Sequence, residues 1–118
     1  MSLMDSDDVL SPEVWELHVV SSLRSLERAY FSEIEPVSSI EIVNTPPFPA
    51  RYLPATKIIQ LNAELARFPR LAQVLILHEL INHKCSVQNP NYAQNAYGKE
   101  FQVELTRLLE ARAYDKIL

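Results

Sequence analysis

The sequence predicts an α+β fold, and three observations carry the prediction. Stretches near both ends and in the middle repeat apolar residues every three or four positions, as amphipathic helices do. Two short stretches between the first and second of these are rich in β-branched residues, and one alternates apolar with polar. No regular strand–helix–strand alternation links them, so a parallel α/β sheet is not expected. At 118 residues, 47% apolar and 22% charged, the chain has the size and composition of one globular domain with a single core. Residues 1–10 read as a frayed acidic start and residues 11–118 as the single domain. The expected architecture is a small β-sheet packed with an N-terminal helix, a central buried helix and a C-terminal helix.

Ser11-Pro12-Glu13 opens the first helix with a capping hydroxyl, a proline in the first turn and an acid near the positive helix end. Trp15, Val19, Leu23, Leu26 and Tyr30 then form one stripe, and the pattern runs to about Glu33. Ser39–Val43 reads as a strand. Thr45–Pro54 holds four of the eight prolines, each fixing a dihedral and removing a donor, so it reads as a stiff extended loop or a sheet edge. Lys57–Asn62 is a second strand. Pro69 opens a helix that is apolar nearly all round, expected to run to about His83, and Asn89-Pro90-Asn91 breaks the chain. The last helix begins near Gly98-Lys99 and places Phe101, Leu105, Leu108 and Arg112 on one stripe.

Several functions are disfavoured at this level. The net charge is −4, whereas domains that clamp nucleic acid by charge carry a basic surface. The one cysteine, Cys85, can close no internal disulfide and no four-cysteine zinc ribbon. The longest apolar run, Val74–Leu77, is far too short to span a bilayer. With a polar start in place of an apolar leader, these features predict a cytoplasmic protein with no membrane partner.

The segment that carries chemistry is His78-Glu79-Leu80-Ile81-Asn82-His83. A zinc peptidase places two histidines at i and i+4 on a helix, with glutamate after the first. One helical turn brings both imidazoles to one ion at roughly 2 Å, and the glutamate takes a proton from the metal-bound water. Here His78 and Glu79 are in place, Asn82 stands at i+4, and His83 follows one residue late. At about 100° per residue, His83 is turned well away from His78 unless a helix end or a π-bulge brings it back. The plainer expectation is a buried, hydrogen-bonded His78 with His83 at a solvated helix end, where the dipole favours it.

Leu71–Asn82 resembles the active-site helix of SprT-like metallopeptidases, a zincin-like family. Tyr97-Gly98-Lys99-Glu100-Phe101 is similar to that family's second block, a histidine–glycine pair followed, after two residues, by phenylalanine. Ile58–Asn62 resembles the strand before the active helix. Gly98, the sole glycine, falls where the family has one and is expected to mark a backbone position closed to other residues. The resemblance covers about residues 50 to 110. It implies a zincin-like fold, three zinc ligands at the positions held here by His78, Asn82 and Tyr97, Glu79 as general base, and an association with DNA that nothing else in the sequence demands.

Two of the three implied ligands are therefore replaced. An amide is a poor zinc ligand, and a phenol must first lose a proton from a reference pKa of about 10. His78, Asn82 and Tyr97 are expected to form a hydrogen-bonded network in the metal's place, since all three carry donors or acceptors. The expected function is a catalytically inactive zincin-like domain with a binding or structural role, no cofactor, and a protein or peptide partner. The alternative is an active zinc peptidase with a changed ligand set of His78 and His83, with Glu79 as general base. A further set of His78, His83 and Glu104 is conceivable, but Glu100 and Glu104 read more simply as exposed carboxylates. Cys85 reads as a small buried hydrophobe, and Lys99, Glu100, Arg107 and Glu110 as solvated charges.

Overall fold

Ser11 starts the first helix as the sequence predicts. In the computed structural model, which describes residues 11–92, 98–115 and 117, its hydroxyl accepts from the Val14 amide at 3.4 Å. Helix α1 spans Pro12–Tyr30 and buries Trp15, Val19 and Leu23. It stops short of Glu33 because Phe31, at φ −137°, leaves the helix and turns its ring into the core, 2% exposed. The buried stripe also contains a charge. Glu27 accepts from Arg24 Nη1 at 2.7 Å and from the Val37 amide at 2.8 Å, and so ties α1 to the chain leading into the sheet.

The sheet has three strands, β1 (Ser39–Val43), β2 (Ala50–Leu53) and β3 (Ile58–Asn62), in the order β1-β3-β2. β1 runs parallel to β3 and β2 antiparallel to it. The register places Ile40, Ile59 and Tyr52 in one row and Ile42, Leu61 and Ala50 in the next. Those rows line the core, with Ile59 and Leu61 fully buried. On the opposite face Arg51 Nε donates to Gln60 Oε1 at 2.7 Å and Gln60 Nε2 donates to Glu41 Oε1 at 2.9 Å, a polar ladder across all three strands. β2 lies inside the proline-rich stretch and realises its edge reading. The prolines flank residues 50–53 and leave that run free of them. Lys57, at φ 58°, closes the turn from β2 into β3.

A 3₁₀ turn, Ala63–Arg67, leads into the central helix α2, Pro69–Gln88. Its buried residues include Ala72, Ile76, Leu77, Leu80 and Ile81, but also Glu79, Asn82, His83 and Lys84. α2 packs against α1, α3 and β2. The helix continues to Gln88 rather than ending at His83, and His83 is 0% exposed. The expectation of a solvated helix end at His83 is therefore corrected. Lys84 pairs with Glu33 and Glu104 and Cys85 is buried, which rewards another turn, and Asn89 takes an extended backbone, φ −138° and ψ 106°, ahead of Pro90.

Helix α3 spans Lys99–Glu110 and buries Phe101 and Leu108. Arg112, expected on the same stripe, lies past its end with φ 60° and its side chain 82% exposed. Ala113, Tyr114 and Ile117 return to the core. Gly98 has φ −80°, outside the left-handed region, so the sole glycine does not mark a positive-φ position here. The acidic start at residues 1–10 and Tyr97 lie outside the described residues. Among the described residues no helix is long and apolar enough to cross a membrane.

Candidate functional site: two faces of the central helix

His78, Glu79 and Asn82 share one side of α2. The His78 ring meets Phe101 of α3 edge-on at 6.1 Å and Tyr114 at 6.0 Å. Burial holds its imidazole below the ordinary range, so it is neutral near pH 7. Glu79 is 4% exposed. Burial pushes its carboxyl up, and the hydrogen bond from Asn82 pulls it partly back. Asn82 Nδ2 donates to Glu79 Oε1 at 2.9 Å, while Asn82 Oδ1 accepts from the Tyr92 hydroxyl at 2.7 Å. A buried polar network thus exists at this position, with Glu79 and the Tyr92 phenol as its described partners and without His78. The expected partner, Tyr97, is outside the described residues.

His83 lies on a different side, within a regular helix that carries no π-bulge. Its Nε2 lies 2.7 Å from the Glu35 carbonyl and its Nδ1 lies 2.7 Å from the Tyr52 hydroxyl. A carbonyl only accepts, so Nε2 carries the proton and the neutral ring takes the Tyr52 proton at Nδ1. Burial lowers its pKa, and the Glu35 carbonyl and the Glu27 and Glu35 carboxylates partly restore it. Burial, with Glu35 nearby, pushes Tyr52 up to about 12, so the phenol stays protonated. His83 therefore joins α2 to β2 and to the chain between α1 and β1.

The acidic residues of α3 are engaged elsewhere. Glu104 is not an exposed carboxylate. One oxygen pairs with Lys84 Nζ at 2.9 Å and the other with Arg107 Nε at 2.9 Å. Lys84 also pairs with Glu33 at 2.9 Å. Burial pulls the Lys84 ammonium down, but the carboxylates of Glu104 and Glu33 outweigh it and hold it above its ordinary value. Arg107 donates to the Tyr30 carbonyl at 2.9 Å and stacks over Phe31, so it is a structural tie rather than a solvated charge. Glu100 is exposed and accepts from Asn89 Nδ2 at 2.7 Å. Cys85 is buried, and its thiol is pushed up to about 11, chiefly by burial and then by Glu104 and Glu100, against a hydrogen bond with Tyr92. Among the described residues no three His, Cys, Asp or Glu side chains form a group that could hold an ion.

Tyr92, Tyr52 and Tyr114 were not singled out from the sequence. A buried tyrosine needs a hydroxyl partner, but the sequence does not say which residue supplies it. Tyr114 is 8% exposed, its hydroxyl has no partner among the described residues, and burial pushes it up to about 12.

A three-stranded mixed sheet, a preceding helix, a central helix that carries a His-Glu pair and a helix behind it make a small α+β domain similar to the zincin-like metallopeptidase fold. No family model matches the chain, and no curated protein matches it. Among solved structures it is similar to the metallopeptidase zymogen jannalysin of Methanocaldococcus jannaschii, with a TM-score of 0.55 and 21% identity, over 85% of this chain and 97% of that one. The chain is a small α+β domain with that fold.

Proposed function

We propose that the chain is a SprT-like domain that has kept the zincin scaffold and given up its metal chemistry, acting by binding or scaffolding a protein or peptide partner. The observation that supports this most is the Asn82 amide, which is engaged at both ends, by Glu79 and by Tyr92. An ion at this position would have to displace the Tyr92 proton from the amide oxygen and would gain a weak ligand in return. The described donors do not fit the zinc that the fold family implies. His78 is the one imidazole on this side of α2, and His83 has both nitrogens engaged.

The alternative, a zinc peptidase that uses His78 and His83 with Glu79 as general base, would first have to break the links from His83 to Tyr52 and Glu35. DNA association rests on the family resemblance alone, and the net charge of −4 does not favour it. A cytoplasmic location fits the single buried cysteine.

The test is elemental analysis of the purified full chain after zinc loading and desalting, alongside a peptidase assay on unfolded protein. The expected result is well below one zinc per chain and no chelator-sensitive cleavage. One zinc per chain, or cleavage lost on chelation and in Glu79→Gln, would overturn the proposal.

A further inference from the structure

The polar chain on the His78 side of α2 includes a residue that no sequence motif singles out. Tyr92 is 3% exposed, and its placement follows from the turn before it. Asn89 ends α2, and its side-chain oxygen accepts from the Asn91 amide at 3.0 Å. Its carbonyl accepts from the Tyr92 amide at 3.0 Å. Its side-chain nitrogen donates to Glu100 on α3 at 2.7 Å. The turn is thereby fixed at both ends and folds Tyr92 back onto the helix it has just left. The chain then reads phenol to amide oxygen, amide nitrogen to carboxylate, with a donor facing an acceptor at each step. Each bond polarises the next, so accepting from the phenol makes the Asn82 amide a better donor to Glu79.

We infer that Tyr92 is the group that took over from the ion: its phenol holds residue 82, and through it Glu79, where a metal-holding zincin uses metal–ligand bonds. This rests on the metal-free reading above and adds a positioning residue to it. The Tyr92 phenol occupies the oxygen of residue 82, so a cation approaching that atom has to share or displace it.

The competition can be measured with zinc alone as the probe. In the full chain, Asn82→His supplies a second imidazole at i+4 from His78, a spacing that grips zinc. Equilibrium dialysis then compares Asn82→His with Asn82→His/Tyr92→Phe. Removing the phenol is expected to tighten zinc by about tenfold, the effect of one competing hydrogen bond. A merely structural role for Tyr92 would leave zinc affinity unchanged or weaken it, and either result overturns the inference. A second measurement needs no introduced histidine. In thermal melts of metal-free protein, Tyr92→Phe/Asn82→Ala is expected to lose less than the sum of the single variants, because both changes break one shared bond. Additive losses overturn the inference. Stoichiometric zinc on the unsubstituted chain would instead sink the reading beneath it, so the two failures are distinct.

Discussion

His78 and His83 stand five residues apart on one helix and meet different fates. His83 is 0% exposed and bonded through both ring nitrogens, to a carbonyl and a phenol. His78 is partly exposed and rests between two aromatic rings, with no hydrogen bond among the described residues. The spacing in the motif ranks His78 as the chemical residue and His83 as a misplaced copy. The hydrogen bonds show what the copy does, which is to hold three parts of the fold together. One side of α2 carries His78 with the buried Glu79–Asn82–Tyr92 chain, and the other carries the ties that keep the scaffold folded. A residue outside a motif's spacing can still be the more costly one to remove.

The comparison is sharpest in a pair of substitutions. His83→Ala leaves a cavity, an unsatisfied Tyr52 hydroxyl and an unsatisfied Glu35 carbonyl. It is expected to cost about 3 kcal/mol of stability in urea unfolding. His78→Ala loses only partly buried ring contacts and is expected to cost about 1 kcal/mol. Equal losses would erase the distinction between the two sides.

Much of this fold is legible in the sequence, because periodicity and capping report directly on burial. The stripe of Trp15, Val19 and Leu23, the strands at residues 39–43 and 58–62, and the core helix from Pro69 all follow from local pattern. The limits of the reading have physical causes. β2 is a four-residue edge strand among prolines, and although it pairs with β3 across a tight turn, the prolines around it hide the strand pattern. The extra turn of α2 depends on Lys84 finding Glu33 and Glu104, which are distant in sequence. A polar network around Asn82 is expected from the sequence with His78 and Tyr97 as its other members, but the partners described are Glu79 and Tyr92, and Tyr97 lies outside the described residues. Tyr92 has no signal of its own in the sequence, because the turn built on Asn89 folds it back. The resemblance to a zincin scaffold rests on Leu71–Asn82, Tyr97–Phe101 and Ile58–Asn62, and the fold agrees with it, although Gly98 does not take a positive φ.

A second test concerns the ion cluster next to His83. Lys84→Met keeps the aliphatic stem and removes the charge that lies between Glu104 and Glu33. Breaking a fully buried pair costs about 3–5 kcal/mol. Arg107 still holds one Glu104 oxygen and Glu33 is half exposed, so the expected loss is about 2 kcal/mol. Adding Glu104→Gln should recover about half of it, because the uncompensated charge is then gone. A double variant as unstable as Lys84→Met alone would show that packing, and not charge, makes Lys84 matter.

The smallest effect is in the pH dependence, where the two histidines and Glu79 act with opposite sign. Burial places both histidines below the ordinary imidazole value of 6.5, so the unfolded chain binds protons that the native one refuses. Their contribution is fully present above pH 6.5 and is lost as pH falls from there towards the native values. The slope for each fully refused proton is about 1.4 kcal/mol per pH unit. His78 is partly exposed, so its share is smaller. Protonated His83 can still be met by Tyr52, whose hydroxyl turns to accept, which keeps the cost to desolvation alone. Glu79 acts in the opposite sense. Burial raises its native value above 4.5, so its contribution is lost as pH rises from 4.5 towards the raised value. Urea midpoints measured from pH 7 to pH 5 should therefore fall with acid, fall nearly as steeply in His78→Phe, and fall more steeply in Glu79→Gln, where the opposing proton uptake is absent. A flat profile in His78→Phe would place the acid-sensitive histidine on the chemical side of α2 and reverse the assignment of the two residues.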